Sequence, residues 1–470
     1  MKSFLIKLLG FSIGPVIGAL IAFITIPITT YFVNPDEYGK ASMFMLAQTL
    51  VVTFIYLGLD QAYTREYHSQ KDKMKLFQNV IFLPLLLATV VFIYIVTFRG
   101  KISSILFGSS EYVIPSVLFG LMIIFMILER FILLSIRMKE KAFEYSFFSI
   151  LIKLTILLAT LVFVIFIRTD FLAVVYSTII GQIVGDLYLI IRYHKLLAFR
   201  NFALDTIILK RMLIFGFPLL ISAGLTGILN AFDRISLRIW SDFTQIGIFT
   251  ATLKIAAVLA IVQQSFTSFW VPTAYRWLEE HKDIKHFKVI SDLTLLGMSL
   301  LMTLILTFKD VLVPLLSTEY STAKFLIAFL CFQPILYTLS ETTCLGIVYS
   351  RKSYLTLWVA LMTIIPNITL NILLVPKFGA YGAAIATGVS YLFFFISRSY
   401  FSFKNGMEIS IKKHLLVILL LYAGAFINMF DIENMFFYNL LLLMTVFIFQ
   451  IGTVKQIFII KTNKDQWDFT

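Results

Sequence analysis

The stretch LLGFSIGPVIGALIAFITIPITTYFVNPDEYGKASMFMLAQTL (residues 8–50) holds an uncharged apolar run from Leu8 to Val33, a short polar turn, and the start of a second apolar run. A helix of about 20 apolar residues crosses the hydrocarbon core of a bilayer, and backbone in lipid must satisfy its own hydrogen bonds. The stretch therefore reads as two transmembrane helices joined by a tight turn. The pattern repeats along the chain, with runs over 8–33, 41–62, 78–98, 113–134, 147–167, 172–191, 212–232, 247–270, 289–308, 324–346, 354–374, 380–397, 414–430 and 436–454. With 59% hydrophobic residues and a mean hydropathy of +0.91 over 470 residues, most of the chain belongs in lipid. The expected fold is an all-α polytopic membrane protein of about 14 transmembrane helices.

Charge placement sets the expected topology. Of the 39 Lys and Arg residues, 27 fall in the termini and the loops on one side, 8 in the opposite loops, and Arg130, Lys153, Lys254 and Lys324 inside spans. Loops rich in Lys and Arg stay cytoplasmic, and an even number of spans returns the chain to its starting side. Both termini are expected in the cytoplasm. The net charge of +13 then encodes topology, and no nucleic-acid partner is expected. The first run is too long for a signal-peptide core and no small-residue cleavage site follows it, so it is expected to stay as helix one. Cys331 and Cys344 share one predicted span about 20 Å apart along its axis, beyond disulfide reach.

The opening stretch has a partner. LIFGFPLLISAGLTGILNAFDRISLRIWSDFTQIGIFTATLKIAAVL (213–259) also begins with Gly-Phe (Gly216-Phe217, against Gly10-Phe11) and an early proline (Pro218, against Pro15). Each polar turn then ends in a glycine, Gly39 or Gly247. Six spans per half is an even number, so the halves share one orientation and should be related by an axis along the membrane normal. The expected organisation is a six-helix lobe over 1–200, a second over 201–402, and two extra helices with a cytoplasmic tail over 403–470. The segment 192–211 mixes basic and apolar residues and suits either a helix lying at the headgroups or a solvated connector.

At Asn371–Tyr391 the chain reads NILLVPKFGAYGAAIATGVSY. Pro376, Gly379, Gly382, Ala383, Ala384 and Thr387 resemble the P-x-x-G-x-x-G-A-A-x-x-T turn of bacterial polysaccharide exporters. These are the Wzx-type lipid-linked oligosaccharide flippases of the multidrug/oligosaccharidyl-lipid/polysaccharide (MOP) superfamily. NPDEYGKASMF (34–44) resembles the turn after helix one in that family, and YLGLDQAYTREY (56–67) its exit from helix two. The resemblance covers roughly residues 8–402 and implies the MATE-like MOP fold. From the residues alone, Pro376 should stop helix eleven, while Gly379 and Gly382 allow a tight turn and close backbone approach. Gly10, Gly14 and Gly18 line one face of helix one, which Pro15 and Pro27 can bend. Gly216, Pro218, Gly224 and Gly227 do the same for helix seven. They serve either close packing or bending during alternating access.

Ionisable groups inside spans are costly and mark functional candidates. Lys153 and Lys254 could hold a phosphate-bearing head group, and Arg234 and Arg238 could receive it near the outer face. Lysine stems can also snorkel from that depth, and Asp233 can pair with its arginine neighbours. Asp60, Arg65, Arg130, Asp186, Asp233 and Glu341 are candidates for gating or ion coupling. Glu129-Arg130 and Asp60/Arg65 are expected as gate or interface ion pairs, and Asp186 or Glu341 as a proton acceptor or partner of Lys153. No His, Cys, Asp and Glu stand at metal-ligand spacing, and no Walker phosphate loop is present. No metal, cofactor or enzymatic activity is expected.

The resemblance implies a flippase carrying an undecaprenyl-pyrophosphate-linked oligosaccharide repeat unit from the cytoplasmic to the outer leaflet of a bacterial inner membrane. Its product would feed O-antigen, lipopolysaccharide, capsule or exopolysaccharide assembly. Partners would be the lipid-linked oligosaccharide, membrane lipids, and the polymerase and glycosyltransferase machinery. The alternatives are a lipid II flippase and a MATE-like multidrug or cation antiporter. The lipid II branch carries arginines and an aspartate in helix one, whereas Leu8–Val33 here has no charge. A cation exporter needs buried acids in its lobes.

Overall fold

In the computed structural model, the described residues are 2–67, 70–199, 202–350, 352 and 354–462; side-chain surroundings are given for fewer of these, from Ile17 onward apart from Gly14. Fourteen helices of 15 residues or more are described: α1 (Lys2–Phe32), α2 (Pro35–Ile55), α3 (Lys73–Thr97), α4 (Val113–Met138), α5 (Ala142–Val162), α6 (Phe171–Arg192), α7 (Thr206–Trp240), α8 (Phe243–Glu279), α9 (Ile284–Thr307), α10 (Ala323–Thr343), α11 (Tyr354–Phe378), α12 (Ala380–Phe403), α13 (Lys412–Ile427) and α14 (Met435–Phe449). Eleven of them, α2 to α12, are by length and apolar composition able to cross a membrane. The chain is a multi-pass membrane protein. It divides into two compact units, Met1–Phe232 and Asp233–Thr470, with the division inside α7.

Polar residues at the turns explain where the helices begin. Asn34 caps α2 by accepting from the Glu37 N–H at 3.0 Å, with Pro35 in the first turn. Asp242 caps α8 the same way, accepting from the Gln245 N–H at 2.8 Å. The third residue after each cap then reaches another helix. Glu37 Oε2 accepts from the Phe171 N–H at the start of α6 (2.9 Å), and Gln245 Oε1 from the Ala380 N–H at the start of α12 (3.0 Å). One side chain thus satisfies an orphan N–H of a second helix, and the device recurs at matching places in both halves of the sequence.

Within the first unit, α1 packs on α5, α5 on α6, and α4 on α3 and α6. A Cβ added to Gly181 would lie 2.5 Å from the Ile156 backbone, so α5 and α6 touch main chain to main chain there. The segment after α6 forms a short 3₁₀ turn (His194–Leu197) rather than a longer amphipathic helix. It is bound to α3: Gln78 donates to the Ala198 carbonyl (2.9 Å), Asn79 donates to Ala203 (3.2 Å), and Asn79 Oδ1 accepts from the Asp205 N–H (2.6 Å). Lys75, 2.7 Å from Asp205, holds that carboxyl below its ordinary range.

In the second unit α10 lies against α8, α9 and α12, and α11 pairs with α12. α11 runs through Pro376 to Phe378, two residues beyond the expected stop, and the turn falls on Gly379 with φ +53°. A Cβ on Gly382 would sit 2.6 Å from the Leu374 carbonyl, which is why α12 opens with small residues. The last two helices are tied to the unit by amides. Asn428 and Asn439 bond each other at 2.7 and 3.1 Å, and Asn439 donates to the Leu306 carbonyl at 2.8 Å. The Tyr422 ring stacks on Phe332 at 3.7 Å while its hydroxyl donates to the Gly388 carbonyl. Both cysteines are free and buried.

Candidate functional site

The first unit gathers its intramembrane charges where α4, α5 and α6 meet the exit of α2. Leu57 (φ +53°) and Gly58 (φ +68°) form a left-handed turn that ends α2 and starts a short helix, Leu59–Glu66, carrying Asp60. Arg130 of α4 donates to Asp60 at 2.6 Å. Asp60 thus pairs with Arg130 and not with Arg65, which lies instead over the Phe215 ring at 4.2 Å and 4.0 Å from Glu66. The preference follows from reach: Asp60 is buried toward α4, whereas the Arg65 side chain is largely exposed.

Gln182 of α6 bridges two acids, one of them Glu129, the neighbour of Arg130 in α4. Its Nε2 donates to Glu129 Oε2 at 2.8 Å and to both Asp186 oxygens at 3.0 Å. Asp186 is fully buried and Gln182 nearly so. Lys153 of α5 is within electrostatic reach of both acids, yet among the described residues no carboxylate oxygen lies within 4.0 Å of its ammonium. Its stem passes 3.6 Å from where a Cβ of Gly18 would stand, and its end is exposed. Tyr56 stands within reach of Glu129, Arg130, Asp60 and Asp186.

The second unit has two buried polar centres. At one, Glu341 of α10 pairs with Arg398 of α12 at 2.8 Å; Arg398 also donates to Ser340 Oγ and lies over the rings of Tyr337 and Phe394. At the other, Asp233 of α7 is ringed by neutral donors rather than paired with a neighbouring arginine. Asn367 and Asn371 of α11 donate to its Oδ1 at 3.2 and 2.8 Å, and Thr387 of α12 donates to Oδ2 at 2.7 Å. The side-chain oxygens of both asparagines are buried without a partner. Arg234 and Arg238 are half-buried on the same helix, Arg238 over the Phe243 ring at 4.4 Å, and Lys254 is exposed on α8.

The hinge candidates have close neighbours. The Gly14 N–H donates to Ser146 Oγ at 3.0 Å, and a Cβ on Gly216 would lie 2.8 Å from the Leu57 carbonyl. Pro27 and Pro218 lie inside the continuous helices α1 and α7, and the side chain of Pro15 falls outside the described residues. Residues that the sequence did not single out are Gln182, Asn367, Asn371 and Arg398. Asn367 and Asn371, four apart in a mostly apolar helix, carry a readable signal, since they must share one face.

Residues 7–278, more than half of the chain, match the family described as polysaccharide biosynthesis protein. The chain belongs to that family. Its fold is similar to that of solved MOP-superfamily transporters. The structure described as lipid II flippase MurJ in an inward closed conformation shares 17% identity, covers 96% of this chain and 99% of its own, and has a TM-score of 0.71. An inward-facing multidrug resistance MATE transporter of the MOP superfamily shares 14% identity, with 84% and 95% covered and a TM-score of 0.60. A MOP superfamily transporter from Pyrococcus furiosus, described as having a binding pocket of reverse polarity, shares 13% identity, with 86% and 94% covered and a TM-score of 0.53. No curated protein matches the sequence.

Proposed function

We propose that this polysaccharide biosynthesis protein is a transporter and not an enzyme. It moves a polyprenyl-pyrophosphate-linked oligosaccharide repeat unit from the cytoplasmic to the outer leaflet of the inner membrane by alternating access, with both termini cytoplasmic. The observation that carries this reading is Lys153, a cation inside a membrane span with no ion pair among the described residues. An ammonium held there at a cost in solvation suits a phosphate that must leave water to cross. A head group with about two negative charges gains about 2.3 kcal/mol per charge per 100 mV on leaving a negative interior, enough to drive net export. Asp233 with its two orphaned amide oxygens is the candidate for a coupling proton or monovalent cation. Lys254, Arg234 and Arg238 are assigned to the outward part of the path, and polymerase and glycosyltransferases to the steps on either side.

The test is transport of a fluorescent lipid-linked oligosaccharide in proteoliposomes. An inside-negative potential should accelerate export by the wild type and do little for Lys153→Met. Transport that ignores the potential and follows a proton or sodium gradient would replace the potential with antiport. A second reading, a lipid II flippase, is favoured by the near-complete overlap with the structure of that description. Accumulation of the peptidoglycan precursor after gene deletion, in place of an oligosaccharide-lipid, would select it.

A further inference from the structure

The first unit contains an odd charge. Asp60 comes from the helix after α2, Glu129 and Arg130 from α4, Lys153 from α5 and Asp186 from α6. Asp60 and Arg130 cancel at 2.6 Å. That leaves two carboxylates facing one ammonium inside the membrane. Gln182 has two amide hydrogens and is in contact with three carboxylate oxygens, so it cannot satisfy all of them. Among the described residues, the phenols of Tyr56 and Tyr145 also stand near the cluster, and the Gly18 face of α1 brings no charge. Lys153 is an exposed residue bound to neither acid, so its ammonium has room to turn toward either kind of anion.

We propose that Lys153, which balances the Glu129/Asp186 pair from beyond ion-pair distance, turns to the pyrophosphate of the substrate during transport, and that the acid pair bridged by Gln182 then takes up one proton. The inference rests on the reading of Lys153 as the anion-binding group. Two carboxylates on one amide in a low dielectric cannot both stay ionised once the ammonium that balances them turns away, whereas one added proton removes one of the two charges. The balance is simple: one proton from water adds to a carboxylate oxygen, and no bond between heavy atoms forms or breaks. Asp60 is paired with Arg130 at 2.6 Å and takes no part. Each head group loaded is thereby accompanied by one proton, and the charge moved per cycle falls by one.

The measurement is titration calorimetry of the full chain in lipid nanodiscs near pH 7, repeated in buffers of different ionisation enthalpy. The probe is UDP-N-acetylglucosamine, a pyrophosphate diester whose charge does not change in that range. The wild type should take up about one proton per probe bound. Asp186→Asn and Glu129→Gln should still bind and take up none, and having two variants guards against one that misfolds. Lys153→Met should bind about tenfold more weakly, the scale of one charge-assisted contact. Binding by the wild type without proton uptake, or uptake that survives both acid variants, overturns the exchange and leaves the anion site standing. A probe that fails to bind, or binds wild type and Lys153→Met alike, removes the anion site and the exchange together.

Discussion

Replacing Glu341 should destabilise the second unit by an amount that depends on what happens to Arg398. The two side chains are 7% and 18% exposed and meet at 2.8 Å. Breaking a pair so buried costs about 3–5 kcal/mol, because the surviving charge is left without a counterion. Glu341→Gln leaves Arg398 its bond to Ser340 and its two aromatic faces, worth about 0.5–2 kcal/mol, so the expected loss is about 2–3 kcal/mol. Arg398→Met leaves the carboxylate its contact with the Tyr337 side chain but no counterion, and about 3–5 kcal/mol should be lost. The double variant removes both charges and should recover about 2 kcal/mol or more relative to the sum of the singles. The assay is unfolding in mixed micelles with rising denaturing detergent, followed by tryptophan fluorescence. Trp270 donates its indole N–H to the Glu341 carbonyl at 3.1 Å, so it reports on this site. Two single losses below about 0.5 kcal/mol that simply add in the double variant would refute the reasoning, since an uncoupled pair is what screened surface charges show.

Three further outcomes follow from particular contacts. Gly382→Val should cost about 1–3 kcal/mol or abolish folding, because even its first carbon would fall 2.6 Å from the Leu374 carbonyl; an unchanged midpoint in thermal unfolding would deny that close approach. Asn79→Ala removes the bonds to the Asp205 N–H and the Ala203 carbonyl, about 0.5–1.5 kcal/mol each where water can take their place, and should speed tryptic cleavage at Lys210 and Arg211; equal cleavage rates would show the linker is held elsewhere. Burial pushes the ammonium of Lys309, in the short helix Lys309–Leu312 outside the spans, down to about 8, with Lys324 adding to the effect. The unfolded chain then binds more protons between about pH 8 and 10.5, so stability should rise with pH across that window and be flat below it. In Lys309→Met this rise should disappear; a slope identical to wild type would place its origin in other groups.

The order of the spans and their approximate number could be read from the sequence because the bilayer imposes a length on any apolar run and the snug turns announce themselves. Asn34, Asp72, Asp170 and Asp242 each precede a run and each cap a helix. The pairing of the charges was not legible, because it depends on helix rotation and depth, which distant side chains set. Arg65 and Arg130 are equally plausible partners of Asp60 on paper; the left-handed turn at Leu57-Gly58 aims Asp60 at α4. The arginines beside Asp233 suggested an ion pair, but the packing of α11 and α12 presents three neutral donors instead. Pro376 suggested a helix stop, and the helix ran two residues farther because Gly379, not the proline, can take the positive φ that the turn needs. Sequence by itself determined what must lie in lipid, since solvation acts on each segment alone. Tertiary structure decided which buried charge meets which, since a contact between helices belongs to no single segment.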